Sequence, residues 1–380
     1  MRSSLDSLVG QLFIIGLTGL EVDSRLEEHY SRCPSGGFIL FGRNARDVGQ
    51  LRKLTSALRD LASEHSREYG APLIGIDQEG GVLSPLRDMV TSLPGNMGLA
   101  ATGSPEAARY AGYVTGRDLT SLGIGLNFAP VLDLAREPLN PAIGTRSFGD
   151  EPHRVAEFGV AYANGLLDAG VLFVAKHFPG HGSVPEDSHF SLPECTTSKA
   201  ELLREDLVPF REIARLPHAA MMAAHVRFPD LDPVRPASLS YPLVTRFLRE
   251  ELGFDGVVIT DCLEMGGVRK VAEVPEAAVM AIEAGCDIVL VSHTPALQRA
   301  AFEAVRNAVS SGRISVRRVE ESVATIRRWK EGLGGLALRG PVLPRTTGGL
   351  TPEDLGEQVV TFIQGDPEWP WAFGRSPLVL

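Results

Sequence analysis

Eight short apolar runs, spread along the 380-residue chain, constrain its fold more than any other feature. They are Leu12–Leu17, Gly37–Phe41, Leu73–Asp77, Leu126–Leu134, Leu172–Phe178, Ala219–His225, Gly256–Asp261 and Asp287–Ser292. Continuous apolar runs of this length read as strands buried on both faces rather than as half-exposed ones. Between them lie stretches of helical period. Gln50–Glu64 places Leu51, Leu54, Leu58 and Leu61 on one face, and Ser104-Pro105-Glu106 opens Ala107–Leu122 with an N-cap residue and a proline at the first helical position. Helices are also expected over Pro152–Ala169, Ser198–Ala214, Pro242–Leu252, Pro275–Ala284, Pro295–Ser310 and Ser315–Trp329. Buried strands alternating with helices imply a parallel sheet, and eight of them are what a closed barrel needs. The expected fold is therefore α/β, a single (β/α)8 TIM barrel over residues 1–333. Residues 334–380 are rich in Gly and Pro and contain Trp369-Pro370-Trp371, so they read as a short C-terminal tail packed on the barrel.

A barrel of this kind keeps its chemistry at the carboxyl ends of its strands. The third run ends in Asp77-Gln78-Glu79-Gly80-Gly81, the fourth in Asp133, the fifth in Lys176-His177, the sixth in His225 and the seventh in Thr260-Asp261. One such acid is commonly a helix N-cap; five polar positions on one rim are a site. The longest of these loops, Val174–Glu194, has no period and is rich in turn formers. It holds Lys176, His177, His181, Glu186, Asp187 and His189 among Pro179, Gly180, Gly182 and Pro185.

Composition narrows the partners. A net charge of −10, with the cations scattered, argues against nucleic acid and against a polybasic membrane face. No segment approaches the roughly 20 uninterrupted apolar residues of a membrane span. Leu8–Leu20 is apolar, but it carries Gln11, has only Arg2 before it, and lacks a small-x-small cleavage site, so no secretory signal is expected. Cys33, Cys195, Cys262 and Cys286 show no paired spacing, which points to free thiols and a cytoplasmic location. The histidines form no compact metal-ligand pair, and Lys176 beside His177 opposes a cation, so neither a metal nor a cofactor is expected.

Four separated motifs, in order, resemble glycoside hydrolase family 3, specifically its bacterial β-N-acetylhexosaminidase branch. Lys176–Gly182 reads KHFPGHG and is followed by Asp187-Ser188-His189. Asn127–Asp133 reads NFAPVLD, Asn140–Gly149 runs from Asn-Pro to Arg-Ser-Phe-Gly, and Gly253–Asp261 reads GFDGVVITD. The resemblance implies an exo-acting, retaining double displacement on a small carbohydrate substrate. Asp261 would be the nucleophile and His189 the general acid/base, with Asp187 holding its ring. Asp77, Arg146, Lys176 and His177 would bind the sugar hydroxyls. Imidazole suits the acid/base task because its pKa near 6.5 allows it to donate and then accept a proton near neutrality. The state expected is a monomer or a weak homo-oligomer.

Other rim residues read as structural. Asp133 is expected to bond loop backbone, Glu79 to accept backbone N–H groups, and Cys262 to be a buried inert thiol. His225 is left between lining the pocket and filling the rim. One departure from the family pattern stands out: an arginine that would contact the sugar is replaced by Pro85, with Arg87 two residues further on. Proline supplies neither charge nor donor. This leaves open a family member with altered sugar or aglycone specificity, or a phosphorylase, since a histidine acid/base would not repel phosphate. A non-catalytic sugar-binding barrel is the third reading, and mere binding does not require Asp261, Asp187 and His189 together.

Overall fold

The computed structural model describes residues 4–66, 69–137, 140–184, 186, 188 and 191–339. All eight apolar runs form parallel barrel strands: β1 (Phe13–Gly16), β2 (Gly37–Leu40), β3 (Leu73–Ile76), β4 (Leu126–Asn127), the fifth run as β5 (Leu172–Phe173) and β6 (Ala175–Phe178), then β7 (Ala220–Ala223). An antiparallel excursion, β8 (Arg227–Phe228) and β9 (Asp232–Pro236), precedes β10 (Val257–Cys262) and β11 (Ile288–Val291). The order around the sheet is β5-β4-β3-β2-β1-β11-β10-β7-β6.

The fifth run closes the ring because it serves two neighbours. β5 pairs with β4 through Leu126–Leu172 and Asn127–Phe173, and β6 pairs with β7. Past the break at Val174, the chain beyond β4 bridges to β6 at Val131–Lys176, with Lys176 N donating to Pro130 O and Leu132 N to Lys176 O. The side chains of β1, β2, β3, β6, β7 and β11 are buried throughout, as expected where helices cover the outside and side chains fill the inside.

The helices follow local rules. In the helix Val48–Ser66, Leu51, Leu54, Leu58 and Leu61 are all buried, each contributing roughly 1.5–3 kcal/mol of transfer free energy. Ser104 caps Pro105–Ser121 by accepting from Ala107 N, and Glu151 caps Pro152–Asp168 by accepting from His153 N and Arg154 N. The expected helix Ser198–Ala214 is two helices, Lys199–Arg204 and Leu207–Ile213, because Glu205 leaves the helical conformation. The last helix, Val316–Arg339, continues past the Gly334 boundary; the remainder of the proposed tail, 340–380, lies outside the described residues. This helix is tied to the amino-terminal end of the barrel by Trp329 Nε1 donating to His218 O and Lys330 Nζ donating to Gln11 Oε1 and Gly36 O.

Candidate active site

The carboxyl ends of the strands bring five of the seven expected site residues together around a charged network. Lys176, on β6, is 2% exposed, and its Nζ sits 2.6 Å from both Asp77 Oδ1 and Glu79 Oε1. Asp77 and Glu79 follow β3 two residues apart, so extended backbone carries both to the same side. Arg146, from the turn Gly144–Arg146, donates from Nε and Nη2 to the two oxygens of Glu79, each at 2.8 Å. Glu79 is therefore a buried hub holding two cations, not the acceptor of loop N–H groups expected from the sequence. Burial alone would raise its carboxyl; Lys176 and Arg146 outweigh that and bring it down to about 2. Burial likewise opposes the charges of Arg146 and Lys176, and their carboxylate partners lift both above their ordinary values.

A second network orients the histidines. Asp133, buried at the end of the fourth run, accepts from His177 N, from His181 N at 2.6 Å, and lies 2.6 Å from His177 Nδ1 through Oδ2. Its expected role in bonding loop backbone is present, and it also engages His177 Nδ1, leaving Nε2 as the ring nitrogen not bound to Asp133. Burial would raise Asp133, but His177, His181 and the His181 N–H hold it below the usual carboxylate range. The His177 and His181 rings meet edge to face, 5.9 Å apart. His181 Nε2 pairs with Ser188 Oγ at 3.0 Å, a contact that neither residue type signals on its own. Gly182 has to be glycine: a Cβ there would stand 1.7 Å from Leu134 O, so the loop lies directly on the end of the fourth run.

Asp261 occupies the end of β10, and its Oδ1 accepts from Cys262 N at 2.7 Å. Burial pushes its carboxyl up, while His225, His177, the Cys262 N–H and Lys176 together hold it below the ordinary value, so the group is a carboxylate at working pH. Cys262, expected to be buried, is half-buried, and desolvation pushes its thiol up to about 11. His225 is wholly buried, with Nδ1 2.7 Å from Ser238 Oγ and Nε2 2.9 Å from Cys262 O, so both ring nitrogens are engaged within the rim. Asp187 and His189 lie outside the described residues.

Position 85 is not filled by a neighbouring cation. Glu79 N donates to Leu83 O and Leu83 N to Gly80 O, closing a tight turn, and Gln78 spans it through Ser84 Oγ and Leu86 N. Arg87 is exposed, and its Nη2 donates to Val82 O at 3.3 Å. Among the described residues no three His, Cys, Asp or Glu side chains could hold a metal ion, and no helix is long and apolar enough to cross a membrane.

Residues 4–329 match the family model described as the glycosyl hydrolase family 3 N terminal domain. The chain is 34% identical over 373 residues to beta-hexosaminidase A of Pseudoalteromonas piscicida, covering 91% of this chain and 62% of that relative. It is 40% identical over 268 residues to the beta-hexosaminidase of Thiobacillus denitrificans, covering 69% of this chain and 72% of the other. Among solved structures, a glycoside hydrolase family 3 beta-N-acetylglucosaminidase from Paenibacillus sp. str. FPU-7 superposes with a TM-score of 0.86 at 42% identity, covering 95% of this chain and 68% of that one.

Proposed function

The chain belongs to glycoside hydrolase family 3, and from that premise we propose that it is a retaining exo-β-N-acetylhexosaminidase that releases terminal N-acetylglucosamine from small glycosides. The observation that carries the reading is the placement of Asp261 at the end of β10, its Oδ1 accepting from Cys262 N at 2.7 Å, on the rim that also holds Asp77, Arg146, Lys176 and His177. Attack of that carboxylate on the anomeric carbon forms a glycosyl-enzyme as the aglycone leaves. His189, held by Asp187, protonates the departing oxygen and then takes a proton from the water that cleaves the intermediate. Asp77, Arg146, Lys176 and His177 hold the sugar hydroxyls. The Glu79 hub keeps Lys176 and Arg146 in place before substrate arrives, so little reorganisation accompanies binding. The four free thiols fit a reducing, cytoplasmic compartment, and the enzyme acts as a monomer or weak homo-oligomer.

The test is turnover of a panel of aryl β-glycosides, with and without phosphate. N-acetylglucosaminide should be the best substrate and phosphate should change nothing. Preference for glucoside or xyloside would replace the sugar assignment, and a requirement for phosphate would make the enzyme a phosphorylase. The proline at position 85, with Arg87 turned to the surface, favours one second reading: the same displacement on a related sugar or a different aglycone.

A further inference from the structure

The ladder between β10 and β11 is broken at the proposed nucleophile. Ile259 pairs with Ile288 and Cys262 with Leu290, so two residues, Thr260 and Asp261, stand against one, Val289. That is a β-bulge, the device by which a strand re-aims one side chain at its end. On its other edge β10 stays in regular register with β7 as far as Thr260–Ala223. The bulge disturbs the ladder, and one of its donors turns to a side chain, while Cys262 O just past the bulge accepts from Met265 N and also meets a side chain. Leu290 N donates to Thr260 Oγ1 at 3.2 Å, where a regular ladder would offer a backbone carbonyl. Cys262 O is 2.9 Å from His225 Nε2.

The hydrogen-bond inventory fixes the His225 ring. A carbonyl oxygen only accepts, so Nε2 carries the proton and donates to Cys262 O. Nδ1 is then bare in the neutral ring and accepts from the Ser238 hydroxyl at 2.7 Å. Ser238 is itself anchored, its N donating to Ala224 O. Ser238 and His225 thus fix the Cys262 carbonyl, and across the α-carbon of the same residue Cys262 N donates to Asp261 Oδ1 at 2.7 Å.

We propose that His225 is a positioning residue for the nucleophile: by holding the Cys262 carbonyl it pins the far end of the bulge that aims Asp261, with Thr260 holding the facing side. The proposal rests on Asp261 being the nucleophile and adds to that reading. The titratable groups facing Asp261 are His225 past the end of β7, Lys176 and His177 from β6, His181 from the loop after β6 and the neighbouring Cys262; of their side chains, that of His225 bonds the backbone of the nucleophile's own strand.

The test uses the full chain and the best aryl glycoside of the panel. His225→Ala should lower kcat/KM about 100-fold, the usual cost of an ångström-scale misplacement. It should move the acid limb of the kcat/KM profile to higher pH, because the Cys262 N–H that favours the Asp261 carboxylate loses its alignment. The inhibition constant of the free product sugar should stay the same, and His225→Gln, which can place an N–H on Cys262 O, should recover at least tenfold. Thr260→Val should reproduce the loss and Thr260→Ser restore it, which keeps the test open if His225→Ala fails to fold. An unmoved acid limb, or no loss of kcat/KM in either variant, overturns the proposal. A product affinity that weakens in step with kcat/KM overturns it too, by showing that His225 touches the sugar. Peptide-level mass mapping of the wild-type enzyme labelled by a fluorosugar inactivator separates the two claims. Label absent from Asp261 sinks the nucleophile reading, whereas label present with an unaffected His225→Ala sinks only this one.

Discussion

Lys176 Nζ lies 2.6 Å from Glu79 Oε1, and both side chains are only 2% exposed. Two cations, Lys176 and Arg146, depend on that one carboxylate. Glu79→Gln strips Arg146 of its carboxylate and leaves Lys176 with Asp77 alone, and removing one partner of a buried pair costs about 3–5 kcal/mol. Asp77, 24% exposed, can exchange its bond to Lys176 for water, so Asp77→Asn should cost much less stability. Because the Glu79 carboxyl is depressed to about 2, its contribution is complete above its unfolded value near 4.3 and is lost as pH falls towards 2. Urea denaturation of the two variants at pH 7 checks the ranking; a Glu79→Gln loss below about 1 kcal/mol would contradict the hub.

Asp206 gives the opposite pH dependence. It is buried beneath the loop that follows β6, where a Cβ on Gly180 would stand 3.3 Å from Asp206 Cβ and Oδ1, and its Oδ2 has no hydrogen-bond partner among the described residues. Burial raises its carboxyl to about 6 against the pull of Arg136. A raised carboxyl stabilises the fold below its unfolded pKa and loses that contribution as pH rises through 6. The stability of Asp206→Asn relative to wild type should therefore grow between pH 4 and pH 7, by on the order of 2 kcal/mol. Paired denaturation curves at those two pH values measure it, and a gap that does not change with pH refutes the assignment.

His189→Ala should damage turnover of poor leaving groups far more than that of activated aryl glycosides. A nitrophenolate departs with little protonation, whereas a sugar or alkyl alkoxide needs a full proton, an effect typically worth 10²–10⁴-fold. Steady-state rates over a series of leaving groups read this directly. Equal losses across the series would remove His189 from the acid/base role.

Pro85→Arg tests why the family's arginine is missing. A cation placed among sugar hydroxyls raises kcat/KM for N-acetylglucosaminides if this is a weakened hexosaminidase. It lowers activity on the true substrate if the proline fits another sugar, because a partly buried charge without partners is costly. Kinetics on both substrates distinguish these, and no change in either would put position 85 outside the subsite.

What could be read in advance was whatever depends on near neighbours in the chain. The eight apolar runs, the Ser104 cap and the rim positions of Asp77, Lys176, His177 and Asp261 follow from period, capping chemistry and strand ends. The role of Glu79 did not follow, because its partners Arg146 and Lys176 come from elements far along the chain. Its same-side spacing with Asp77 was the one local clue. His225 stayed undecided for a similar reason: its acceptor belongs to Cys262 and its donor to Ser238, and neither position is marked by sequence. The split of the fifth run at Val174 is a property of ring closure, which no window of residues contains. Asp187 and His189 rest on their motif alone.

The pairing of β1 with β11 joins Phe13 to Val289. During synthesis the apolar edge of the first strand must wait until the last has left the ribosome, a long-range closure of the sort that slows folding. Throughout that interval Phe13–Gly16 presents unpaired backbone on one side, an open template for another nascent chain. Truncating the chain before Ile288 would make that transient edge permanent. Expression of such fragments should therefore end in aggregates rather than in a smaller barrel.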